Sequence, residues 1–153
     1  MEYGTNVWME LEQTEDGIRG QRMYRPPGAT LAVALWELDP GAQNEYHFHH
    51  GNEETIIVLR GRVVLRTPEG ERELEEGAVV HFPRGPEGAH ATINRSDAPV
   101  RYLMVAAHGS PEVIEYPDSG RFIAMARTES HRGGPLITQH SFDDAIEEDW
   151  SKR

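Results

Sequence analysis

Residues 39–61 read DPGAQNEYHFHHGNEETIIVLRG, and three of the chain's eight histidines, His47, His49 and His50, fall within four positions of it. In an extended strand, side chains two apart share a face and lie roughly 6.6 Å apart. His47 and His49 therefore share a face and two imidazole arms can converge on one ion, while His50 points the other way. The Gly51-Asn52 dipeptide predicts a two-residue hairpin turn that pairs His50 with Glu53 and His49 with Glu54. Directly opposed residues share a face with β-carbons about 5 Å apart, which selects Glu54 over Glu53 as the carboxylate beside the two histidines.

Working outward, short runs rich in β-branched and aromatic residues recur between glycine and proline turns, the pattern of an all-β sandwich or barrel. ATLAVALWELD (29–39) is apolar on both alternating sets and reads as a strand covered on both faces. EYHFHH, ETIIVLR, RVVLRT, AVVHF, HATINRS and VRYLMVAAH follow, with turns at Gly51-Asn52, Gly61, Pro68 to Gly70, Gly77 and Pro83 to Gly88. Six strands in about 80 residues leave no room for crossover helices, so antiparallel pairing is expected. TNVWMELEQ, EVIEYP and RFIAMAR read as further strands at the sheet edges. In the tail SFDDAIEEDWSKR, a short helix with Ser141 as N-cap is expected, with a frayed terminus as the alternative.

A chain of 153 residues fits one domain with a sizeable core. A net charge of −11 repels phosphate backbones and anionic membranes, so neither a nucleic acid nor a membrane is expected as a partner. With no cysteine, there is neither a disulfide framework nor a thiolate metal site. Any ion must be held by nitrogen and oxygen. The first residues lack a basic start followed by an apolar run, and a cytoplasmic chain is expected. Three ligands need a fourth from elsewhere in the fold, and the candidate is His90, where a Gly- and Pro-rich turn leads into a strand.

These residues carry a resemblance. Gly41, His47, His49, Glu54 and Gly61 fit the first cupin motif, G-x5-H-x-H-x4-E-x6-G, at every position. Gly77, Pro83, Gly85, His90 and Asn94 match the second, G-x5-P-x-G-x2-H-x3-N, except that four residues rather than two separate Gly85 from His90. The motifs, 41–61 and 77–94, together span residues 41–94, about a third of the chain, and the sequence resembles the small single-domain cupins. The resemblance implies an all-β double-stranded β-helix, or jelly-roll barrel, over 1–153. Residues 1–28 would supply N-terminal edge strands and 141–153 an acidic tail. It further implies a divalent ion, iron, manganese, nickel, copper or zinc, held by His47, His49, Glu54 and His90.

Other polar residues read more simply. His50 is a solvated or interface histidine, Glu53 a rim charge, and His81, in the apolar run AVVHFP, a hydrogen-bonded core histidine. Asn94 ties down a loop, and Trp36, Phe48 and Tyr102 are core or interface aromatics. Arg60 and Arg101 would anchor a substrate carboxylate only if they pointed inward, and outward-facing solvated arginines are commoner. His108, His131 and His140 have no partner spacing. Three functional classes follow. The first is a metal-dependent enzyme on a small polar molecule, with dioxygenase, isomerase or decarboxylase chemistry. The second is a small-molecule binding or sensing module without turnover. The third, ranked last, is a structural zinc protein, because structural zinc sites are closed and tetrahedral. A histidine at 49, where the facial triad needs an acid, argues against a 2-oxoglutarate oxygenase. A homodimer is expected, since small jelly rolls commonly cover an exposed sheet with a second copy.

Overall fold

A computed structural model describes residues 6–12, 16–24, 29–107, 109–129 and 134–141. Alternation of apolar and polar side chains makes strands of nearly every segment. These are β1 (Ile18–Tyr24), β2 (Leu31–Leu38), β3 (Phe48–His49), β4 (Glu53–Arg60), β5 (Val63–Thr67) and β6 (Gly70–Leu74), then β7 (Val79–Phe82), β8 (Ala91–Ile93), β9 (Val100–Ala107), β10 (Glu112–Tyr116), β11 (Arg121–Glu129) and β12 (Pro135–Ser141). They form three sheets, ordered β1-β2-β9-β4-β7, β12-β11-β10-β3 and β6-β5-β8, and every pairing is antiparallel. This is the expected jelly-roll architecture. No helix among the described residues is long and apolar enough to cross a membrane.

The core lies on one face of the five-stranded sheet and closes against β5 and β6. Leu38, Ile56, Val58, Val63, Leu65, Val100 and Tyr102 are almost wholly buried, with Trp36 and Val80 packed against them. Strand parity explains the selection: on β4, Glu54, Ile56 and Val58 share the inward face, so a carboxylate is carried into the barrel on the same row as two core aliphatics. Gly61, at φ 80, makes the tight turn from β4 to β5 in a conformation that a β-carbon disfavours.

The opposite face of the same sheet is covered by charge rather than by apolar contact. Glu37 accepts hydrogen bonds from Arg19, Arg60 and Arg101, and Arg19 also pairs with Asp39. Arg101 further donates to the carbonyls of Val7 and Met9 at 2.9 and 3.0 Å. The chain's own N-terminal segment thus lies over this face, where Leu35 is fully buried.

Several expectations are corrected. The described part of TNVWMELEQ, residues 6–12, forms a turn rather than a strand, held through its carbonyls by Arg101. Ser141 ends β12 instead of capping a helix, and the acidic tail beyond it lies outside the described residues. No hairpin joins β3 to β4. β3 pairs with β10, Ile114 opposite His49, whereas β4 pairs with β7 and β9, so residues 50–52 carry the chain from one sheet to another. His81 is exposed, not a core residue. β7 is an edge strand on which Phe82 points inward and His81 outward, toward Thr55 and Glu53.

Candidate metal centre

The site is assembled from four residues in three stretches of the chain. His47 and His90 exchange backbone hydrogen bonds, His47 N–H to His90 O at 3.1 Å and His90 N–H to His47 O at 2.9 Å, forming an isolated antiparallel bridge. Opposed residues share a face, and the two rings lie 4.7 Å apart. His49, two residues on, turns to the same side, its ring centroid 5.2 Å from that of His47. Glu54 arrives on β4, with one carboxylate oxygen 3.4 Å from His49 Nε2 and 3.5 Å from His90 Nε2. His47, His49 and Glu54 each offer a donor atom within 4.8 Å of the others, a group able to hold a metal ion.

Ring orientation is set by what the other nitrogen of each imidazole does. His47 Nδ1 donates to Glu45 O at 2.7 Å and His90 Nδ1 to Gly88 O at 2.9 Å, so both rings present a bare Nε2 inward. His90 is fully buried, with its ring stacked on Phe82 at 3.8 Å. The residues that separate Gly85 from His90 form a single 3-10 turn, Pro86–Gly88, whose last carbonyl is the one that orients His90. The insertion relative to the second cupin motif thus ends in a contact to the ring.

The electrostatics suit a cation. Burial, reinforced by the neighbouring His90 and His49, pushes His47 down to about 4 and keeps its ring neutral. Burial acts the same way on His49, yet the carboxylates of Glu112 and Glu54 on either side outweigh it and push that ring up to about 9. Burial would raise Glu54, but His49 and His90 hold it well below the usual carboxylate range. Among the described residues, both nitrogens of His49 and Nε2 of His90 are buried without a hydrogen-bond partner. Such atoms are rare in native proteins, and two of them, Nε2 of His49 and of His90, converging on one Glu54 oxygen fit a cation site better than a packing defect. Three imidazoles and one carboxylate match the mixed nitrogen and oxygen shells of divalent first-row metals.

The centre opens into a pocket of about 370 Å³ lined by Trp36, Tyr102, Tyr116 and Arg121 together with His47 and Glu54. Arg121 lies over the Tyr116 ring at 3.7 Å and pairs with Glu45, and Tyr116 in turn stacks on His47. Tyr102 hydrogen-bonds Thr92, and burial raises its hydroxyl pKa.

His50 is exposed and contacts Glu115, and Glu53 is an exposed charge near Arg84, both away from the centre. Asn94 ties its loop down as expected, donating to Leu38 O and Ala98 O and accepting from Ser96. Arg60 and Arg101 both face away from the pocket, and Arg101 is a buried ion-pair partner rather than a solvated side chain. The pocket's arginine is instead Arg121. Sequence reading missed it, along with Tyr116 and Glu112. The available signal was the alternation of EVIEY: with Ile114 opposite His49, Glu112 and Tyr116 fall on the same face as the histidine.

An antiparallel jelly-roll barrel with converging imidazoles and a carboxylate on its inner surface defines a class, the double-stranded β-helix proteins with an internal site fit for a divalent ion. Residues 34–106 match the model of the Cupin_2 family, Cupin domain. Among solved structures, the chain is similar to a cupin-superfamily sugar phosphate isomerase from Silicibacter pomeroyi, at 26% identity and TM-score 0.70, over 88% of this chain and 82% of that one. It shares the fold of a Cupin 2 conserved barrel domain protein from Salinispora arenicola, at 24% identity and TM-score 0.57, over 72% and 90% of the two chains. It also shares the fold of the polyketide cyclase RemF from Streptomyces resistomycificus, at 23% identity and TM-score 0.60, over 73% and 83%. No curated protein matches the chain.

Proposed function

We propose that this cupin is a metal-dependent enzyme acting on a small polar molecule, with isomerisation the favoured chemistry. The observation that carries the reading is the pair of buried, unpartnered imidazole nitrogens, Nε2 of His49 and of His90, facing Glu54, which itself lines an open pocket. In this reading His47, His49, Glu54 and His90 hold one divalent ion, iron, manganese, nickel, copper or zinc. With these four as ligands, an ion that takes a larger shell would keep room for a substrate or water, unlike a closed structural zinc site. When bound, the ion supplies a Lewis acid that polarises a carbonyl or hydroxyl. The chain's own residues do the rest. Glu45 and Gly88 lock two imidazoles by their carbonyls, Trp36 and Tyr116 wall the pocket, and Arg121 stands beside Tyr116 as the pocket's cation. Isomerisation is favoured over dioxygenase or decarboxylase chemistry by the likeness to the Silicibacter pomeroyi sugar phosphate isomerase.

A screen of sugar phosphates and small hydroxy acids, with dioxygen uptake followed in parallel, tests the reading. Turnover that disappears in Glu54→Ala is expected. Ligand-induced thermal shifts with no turnover of any compound would instead make the protein a binding module.

A further inference from the structure

A second carboxylate lies behind the metal centre, and neither motif contains it. Glu112 opens β10 and is 1% exposed. One oxygen, Oε1, accepts the Gly51 backbone N–H at 3.2 Å and lies 3.6 Å from His49 Nδ1, while Oε2 has no partner among the described residues. The chain is shaped around it: a β-carbon on Gly51 would sit 2.9 Å from Glu112 Oε2. An ion-pairing role toward an arginine or lysine does not account for this, because the groups found against the carboxylate are Gly51 and His49.

We propose that Glu112 is a positioning residue for the metal centre, accepting the Nδ1–H of His49 so that Nε2 of that ring is presented to the ion. The inference rests on the metal reading above. Its logic is the symmetry of the three rings. His47 and His90 each give Nδ1–H to a backbone carbonyl and turn Nε2 inward. His49 has no such carbonyl, and its Nε2 already faces Glu54 at 3.4 Å, which leaves Nδ1 for Glu112. A ligating imidazole that donates its other N–H to a carboxylate is fixed in tautomer and made a better donor.

Zinc is the probe, being diamagnetic. Titration of the full chain and of Glu112→Gln with Zn²⁺ against a competing chelator reads affinity, and ¹H–¹⁵N correlation of the histidine rings reads the tautomer. The Gln side chain keeps an oxygen for Gly51 N–H but replaces the charged acceptor beside His49 Nδ1 with a weaker, neutral one, so a purely structural Glu112 predicts unchanged zinc affinity. The proposal predicts a ~10- to 100-fold loss in Glu112→Gln. In the zinc-loaded wild type it predicts a His49 ring bound through Nε2 with a slowly exchanging Nδ1–H. Equal affinities in the two proteins, or His49 bound through Nδ1, overturn the proposal while leaving the metal reading intact. If Glu112→Gln does not fold, the wild-type ring spectrum alone decides. A wild type that binds no zinc overturns both, and is distinguished by that fact.

Discussion

Loading the centre must release a proton, and the structure says from which ring. A ligating imidazole has to be neutral, and His49, set between Glu54 and Glu112, holds its proton up to about pH 9 in the ion-free protein. His47 is already neutral above about 4, and Glu54 is ionised throughout. At pH 7 an incoming ion therefore displaces about one proton. Two pH units below the His49 value, roughly one molecule in a hundred has that ring free. Apparent affinity at pH 7 should accordingly be about 100-fold weaker than its plateau above pH 9, a difference of about 2.7 kcal/mol. The assay is calorimetric titration with Zn²⁺ or Mn²⁺ in buffers of different ionisation heat, repeated from pH 6 to 9.5. The expected results are one proton per ion at pH 7, a tenfold gain in affinity per pH unit, and a plateau near pH 9. No proton release at pH 7, or an affinity flat across the range, would refute the reasoning.

The same two rings shape ion-free stability in opposite directions. His49 is raised above its unfolded value of about 6.5, so its contribution is complete below that pH and is lost as pH rises to about 9; His47 is lowered, so stability is lost as pH falls from about 6.5 to about 4. Denaturant melts of ion-free protein should peak near pH 6.5, with up to ~3 kcal/mol lost on each side, and a monotonic profile would contradict this. Asn94→Ala should destabilise by about 2–3 kcal/mol in the same melts, since it orphans the Leu38 carbonyl beneath the loop. Glu37→Ala, which leaves buried Arg101 without its carboxylate and Arg19 with Asp39 alone, should cost about 3–5 kcal/mol while zinc affinity of the folded protein stays within a factor of two.

Much of the centre was legible because period-two parity is local. His47 and His49 share a face even though β3 holds only His49, since His47 is bridged to His90 just before it. Glu54 was chosen through a hairpin that does not exist, and it still lies beside His49 because the two sheets close on each other there. Which strand pairs with which over sixty residues leaves no local trace, so EVIEYP was read as a strand but its place beside His49, and with it Glu112, was not. His81 was misplaced for a related reason: an apolar run does not reveal that its strand lies at a sheet edge. The strand GEREL, β6, escaped because four of its five residues are exposed, three of them charged, and it is held by β5 rather than by its own pattern. Arg121 was invisible as a pocket residue because its neighbours Glu45 and Tyr116 come from different parts of the chain.

The central claim is that His47, His49, Glu54 and His90 hold one divalent ion. Its most direct test is the metal content, by elemental analysis, of protein purified without chelator or affinity tag, incubated with a divalent metal and passed through gel filtration, beside His49→Ala treated identically. About one ion per chain in the wild type and none in His49→Ala is the predicted result. An ion-free wild type, or equal metal in the two proteins, would contradict it.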